Sequence, residues 1–279
     1  MISARVIADS VNPAGKRIVT VEGTFNRYIL AEFNTHREFS RNSASSRAIP
    51  VKKVMGQVWR NPAAPIHWGA NQAGMQARAE LRGFRKWLAR KLFLWARIPA
   101  LVMVWFLTKL GLHKQVANRL LEPWVWHTVV FTTTEMANFF KLRLHPDAQP
   151  EFQEFARCVK RAIDQSTPRQ LAWGDWHLPY ILPEDYTAAA QHEGPAPDGR
   201  YPIISLMSVA RCAAVSYVRQ NVRRNPVKDF ELAARLQKSG HWSPFEHVAV
   251  ATEGLERSGN FSGGWGQLRK FYPGEDGKS

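Results

Sequence analysis

The chain has 279 residues, 45% of them hydrophobic, with 38 Lys and Arg against 23 Asp and Glu for a formal net charge of +15. That apolar share excludes a disordered polypeptide and suffices for one large core or two smaller ones. The charge favours anionic partners, nucleotides and phosphorylated cofactors as well as nucleic acid, and the lack of a low-complexity basic tail weakens the nucleic-acid reading.

Eleven Trp and fifteen Phe are many, so some are expected on ligand or subunit surfaces. Cys158 and Cys212 offer neither metal-ligand spacing nor a disulfide framework, which points to a reduced, cytoplasmic setting. The N-terminus lacks the basic-then-apolar pattern of a signal peptide.

In chain order, Arg17 to Glu22 alternates as a strand. Tyr28 opens an amphipathic helix with Ile29, Leu30 and Phe33 on its apolar side. After His36 and Arg37 the apolar period stops, and Ser40, Arg41, Asn42, Ser43, Ser45, Ser46 and Arg47 form an array of donors suited to a phosphate or a polar heterocycle. Residues 51 to 70 read as irregular, and Gln72 to about Trp95 as a long basic helix. The run Ile98 to Leu107 is too short to span a bilayer and reads as a buried helix opened by Pro99, with a membrane-surface or subunit-contact role as the lesser alternative. His113 to Leu121 is a short helix placing Gln115 and Arg119 four apart on one face.

Thr132 with Glu135 matches a capping box for a helix carrying Asn138 and Arg143, and Asp147 begins another that reaches about Ile163. The proline-rich stretch 165 to 203, with His177, reads as a linker or a lid. Then come helices from Ile204 to about Tyr217 and from Val227 to Lys238, the latter capped near Asn225, and a strand from His247 to Thr252. Three parts are expected: 1–164, 165–203 and 204–279.

No nucleophile triad spacing appears, the histidines are too scattered for a metal site, and the glycines do not follow a strand in the dinucleotide-binding pattern. What remains is Arg, Asn, Gln and Ser at helix ends with His36 and His247. Such groups bind and polarise, which suits a protein that holds an anionic substrate against a cofactor.

The same residues resemble the flavin-dependent thymidylate synthases. The family's Arg-His-Arg, seven residues, Ser motif reads here Thr35-His36-Arg37, seven residues, Ser45. Further similar segments are Gly111 to Pro123, Asn138 to Arg143, Asp147 to Glu151, Ala213 to Tyr217 and Gly240 to His247. The last two precede the His-Arg motif in the common form of the family and follow it here, as in a circular permutation. The resemblance implies an α+β fold, a helix-rich body packed on a small antiparallel sheet assembled from strands near both ends of the chain, and a homotetramer.

It also implies FAD held by His36, Asn138 and His247, with NADPH as reductant and methylenetetrahydrofolate as one-carbon donor. Arg37, Ser43, Ser45, Arg47, Gln115, Arg119 and Arg143 would hold dUMP, with Arg143, Arg119 and Ser45 in catalytic roles and Gln149 and Glu151 as helix braces. No metal, no membrane and no stable nucleic-acid partner are expected. Thr35, Ser43 and Ala214 depart from the family pattern, losing two guanidinium groups and a carboxylate. They favour as rival readings a related pyrimidine C5-modifying enzyme, whether a hydroxymethylase or one taking a cytosine base. From a different class, the charge and the Arg78–Arg97 run suit a basic nucleic-acid-binding protein.

Overall fold

A computed structural model describes residues 1–191, 202–217 and 225–275. The strands are β1 (Ser3–Val11), β2 (Arg17–Asn26), β3 (Ser40–Ser43), β4 (Trp126–Thr133), β5 (Arg169–Gln170), β6 (Trp176–His177), β7 (Ala249–Ala251), β8 (Arg257–Ser258), β9 (Phe261–Ser262) and β10 (Trp265–Gln267). The helices are α1 (Leu30–Phe33), α2 (Val51–Arg60), α3 (Gly83–Trp95), α4 (Arg97–Lys109), α5 (Lys114–Ala117), α6 (Ala137–Arg143), α7 (Pro150–Asp164), α8 (Pro183–Ala190), α9 (Ile203–Ala214) and α10 (Pro226–Lys238).

The fold is a helix-rich α+β one. Its main sheet has the order β3-β4-β2-β1-β5, antiparallel except for the two-residue β5, which lies parallel to β1. The sheet is therefore mixed at one edge rather than wholly antiparallel. The C-terminal strands form a second sheet, β10-β7-β6, instead of joining the first.

Phenylalanines fill the space between the main sheet and α6 and α7: Phe25, Phe33, Phe39, Phe131, Phe139, Phe152 and Phe155 are all buried. Most of their rings meet edge-on or tilted, at centroid separations such as 4.8 Å for Phe25–Phe155 and 5.4 Å for Phe33–Phe131, while Phe39 stacks on Phe131 at 4.9 Å. Gly23 on β2 makes this possible, because a Cβ there would collide with the Phe155 ring.

Several sequence expectations change. The helix after Tyr28 is only a 3-10 turn and α1, and its polar continuation is the edge strand β3. Residues 51–60 are helical: Pro50 precedes the first turn, and Val54 and Val58 recur on the buried side. The helix expected from Gln72 begins only at Gly83, whose φ of +53° sets it off from the residues before it. Thr132 caps nothing; it is buried in β4, while Thr133 Oγ1 accepts the Glu135 amide in a local turn. Ser243–His247 is a 3-10 turn, so the strand expected from His247 is the shorter β7. Asn225 does cap its helix, accepting from the Lys228 amide.

The run Ile98–Leu107 is not a buried helix. Leu101 and Val104 are its buried members, packed on Val54, Val58 and Leu121, while Val102, Met103, Trp105 and Phe106 are exposed. Pro99 cannot supply the backbone N–H that would continue α3 into α4, and the chain turns at Ala96. Together the two helices form a 27-residue apolar stretch, Gly83–Lys109, long enough to cross a membrane by length and composition.

The stretch expected as a linker or lid carries β5, β6 and α8, and residues 192–201 of it lie outside the described residues. The two sequence-late segments pack beside the strand that follows the His36 turn. The turns Val215–Tyr217 and Ser243–His247 lie against β3 and β4, so the two ends of the motif series meet at one sheet edge.

Candidate functional site

The turn between α1 and β3 presents His36, with α6 beside it. Arg143, the last residue of α6, donates from Nε to His36 Nε2 at 2.8 Å, pairs with Glu32, and donates to Thr35 Oγ1 at 3.3 Å. Its guanidinium lies 4.4 Å from the Phe152 ring centroid. Because guanidinium only donates, His36 Nε2 must be an acceptor and the ring proton sits on Nδ1. Burial, then the charges of Arg143 and Arg41, push the His36 imidazole down to about 4, so it is neutral at pH 7. Phe39 stacks on it at 5.6 Å and Phe139 meets it edge-on at 5.1 Å. Arg41 locks the turn by donating to the carbonyls of Asn34 and His36, both at 2.9 Å.

A cleft of about 290 Å³ opens on this node, lined by His36, Arg37, Phe39, Glu135, Asn138 and Phe139 among others. Thus His36, Arg37 and Asn138 come together, with Arg143 behind them.

A second group forms at the other end of β3. The turn holding Ser45 and Arg47 is tied to the segment holding Gln115 and Arg119 through Asn118, which donates to the carbonyls of Ser46 at 2.7 Å and Ile49 at 3.0 Å. Lys114 Nζ reaches the Ala48 carbonyl at 3.1 Å, and the Ser45 amide donates to the Ser216 carbonyl at 3.1 Å. Arg47, Gln115 and Arg119 face solvent, and Ser43 pairs with Val129 in the sheet. Glu151 accepts from the Ile66 amide at 2.9 Å, which is bracing.

His247 joins neither group. It is fully buried and its Nδ1 lies 2.9 Å from Thr132 Oγ1. That hydroxyl is 2.7 Å from Thr20 Oγ1, which is 2.8 Å from His177 Nε2, and His177 Nδ1 is 2.9 Å from Ser10 Oγ. This buried chain crosses β1, β2 and β4 and joins the two sheets. Burial pushes both imidazoles down to about 3. Nε2 of His247 has no hydrogen-bond partner among the described residues. Sequence alone singles out neither Ser10 nor Thr20, assigns Thr132 to a helix cap, and puts His177 in the stretch expected as a linker or lid. The available signal was a polar residue inside each strand pattern, Thr20 after Ile18-Val19 and His177 after Trp176. No group of three or more His, Cys, Asp or Glu placed to hold a metal occurs among the described residues.

No family model and no curated protein matches the chain. Among solved structures it is similar to a UMP/dUMP methylase from Streptomyces cacaoi bound with 5-Br UMP, at 14% identity and a TM-score of 0.48 over 59% of this chain and 89% of that one. The same methylase bound with 5-Br dUMP gives 13%, 0.46, 59% and 90%. Thymidylate synthase X from Helicobacter pylori with FAD and dUMP gives 16%, 0.37, 52% and 67%. These are partial likenesses of fold at low identity, and nothing about activity follows from them.

Proposed function

We propose that this chain is a flavin-dependent enzyme acting at C5 of a pyrimidine nucleotide, with dUMP as substrate, a one-carbon unit from methylenetetrahydrofolate and thymidylate as product. The observation that supports it most is the cleft where a neutral His36, Asn138 and Arg37 converge beside Arg143, carrying the segments that resemble the flavin-dependent synthases.

The residues there fit a flavin ring. Asn138 offers an amide that both donates and accepts, His36 a ring N–H on Nδ1, and Phe39 and Phe139 apolar walls. A cleft of about 290 Å³ takes one ring system and not a whole dinucleotide, so the rest of FAD must lie along surface outside it, which a homotetramer would supply. When bound, reduced FAD would supply the hydride, and NADPH would restore it. In this reading the turn at Ser45 and Arg47, with Gln115 and Arg119, binds the nucleotide's phosphate and base. A cationic donor stabilises negative charge as it develops on the pyrimidine. Arg119 is exposed and available for that role, whereas Arg143 already serves Glu32, His36 and Thr35.

The test incubates the reduced protein with methylenetetrahydrofolate and either dUMP or dCMP, and identifies products by mass. Thymidylate from dUMP alone is expected. A product that keeps oxygen on the new carbon, or one formed from dCMP, replaces this reading with the hydroxymethylase or cytosine one. Failure to take up FAD at about 100 µM overturns the flavoenzyme reading altogether.

A further inference from the structure

The segment between Glu80 and Glu122 contains no acidic residue and nine Lys and Arg. It holds α3 and α4, whose 27 residues would extend about 40 Å as one helix. Phe84, Trp87, Trp95, Trp105 and Phe106 project from these helices with 49% to 70% of their surface exposed. An apolar helix surface of this kind is normally covered by something.

The same helices are fixed to the body. Trp124 donates from Nε1 to the Phe93 carbonyl at 3.0 Å, and Leu101 and Val104 sit in the core formed with α2. Arg97 falls in the middle of the stretch. A stretch anchored to the protein body at its middle and charged there lies on a bilayer rather than crossing it.

Two features choose the occupant. A second copy of this chain would set one acid-free basic surface against another. An anionic bilayer complements it, with the cations at the headgroups and the apolar rings below them. Trp is also the side chain that favours this boundary, and here Lys91 lies 5.9 Å over the Trp87 ring and Lys109 5.6 Å over Trp105, so each ring has a cation next to it.

We infer that α3 and α4 form a docking face by which this protein binds peripherally to the surface of an anionic lipid bilayer. The experiment uses the full chain and vesicles of phosphatidylcholine, with or without added phosphatidylglycerol. Co-sedimentation with the anionic vesicles alone, reversed by about 0.5 M salt, is expected. Brominated acyl chains should quench the Trp fluorescence of the unaltered protein. The pair Arg85→Glu and Lys91→Glu should lower partitioning at least about 25-fold, at about fivefold per charge. Trp87→Ser with Trp105→Ser should cut quenching to the share left by Trp95 while circular dichroism stays unchanged. No co-sedimentation with anionic vesicles, or equal binding to neutral ones, overturns the inference. So does an oligomer that the Trp pair dissociates in the absence of vesicle binding, since the face would then belong to a second copy.

Discussion

Arg143 gives its Nε and both terminal nitrogens to partners within the chain and its face to Phe152. As the fold stands it orients His36, fixing the ring proton on Nδ1, while burial does most to keep the imidazole neutral and the Arg143 charge adds to it. Replacing it by Gln removes the nearer of two cations, so the His36 imidazole should titrate higher than about 4, read from its ring resonances. His36→Ala and His247→Ala should also part company. The first removes a cleft wall and should weaken FAD uptake with little loss of stability. The second takes one of two partners from the buried Thr132 hydroxyl, leaving it only Thr20, and should cost about 1–3 kcal/mol in denaturant unfolding. Equal loss of FAD affinity in both would place His247 at the cofactor instead. At this scale the sequence was partly legible: the motif found His36, Asn138 and Arg143, but only folding shows that Thr35, in place of a family Arg, is itself an Arg143 partner.

At the scale of elements, three C-terminal helices converge on one cation. Arg211 of α9 pairs with Asp185 of α8, donates from Nε to Asp229 of α10 at 2.9 Å, and donates to the Tyr180 carbonyl at 3.0 Å. Its side chain and that of Asp185 are almost wholly buried. Arg211→Ala would remove the cation shared by the buried Asp185 and the partly buried Asp229 and should cost about 3–5 kcal/mol, measured as a lower urea midpoint with unchanged slope. Two helices could be read from the chain alone: α7, by its apolar period and the proline in its first turn, and α10, by its Asn225 cap. β4 could not, because its apolar run Val129-Val130-Phe131 ends in threonines that imitate a helix cap. The short strands β5 and β6 gave no pattern either, since two residues are too few for a period.

At the scale of the whole molecule, buried neutral imidazoles set the response to acid. His36 is held at about 4, and His127, His177 and His247 at about 3, against an ordinary value of 6.5. Because the folded values are depressed, the stability they confer is complete above about 6.5, falls as pH drops, and is gone once pH passes below about 3. Each such histidine adds up to about 1.4 kcal/mol per pH unit to that slope. Unfolding free energy should therefore decline steeply from pH 6.5 downward, and His177→Gln, which replaces the ring by an uncharged amide, should flatten the slope at some cost in absolute stability.

The buried sequence Ser10, His177, Thr20, Thr132, His247 has a further property: its protons are correlated. Each hydroxyl owns one proton, so the chain can point one way or the other, and its members must agree. If it points from His247 toward Ser10, both imidazoles carry their proton on Nδ1 and His247 Nε2 ends the chain as a bare lone pair. The opposite polarity leaves an N–H with no acceptor there, the costlier defect in an interior. Nitrogen-15 spectra should show the Nδ1–H tautomer at both rings. The tautomer at His177 is then readable at His247 across two threonines. A donor brought to Nε2 would lock that polarity, while an acceptor brought there would have to reverse every proton in the line.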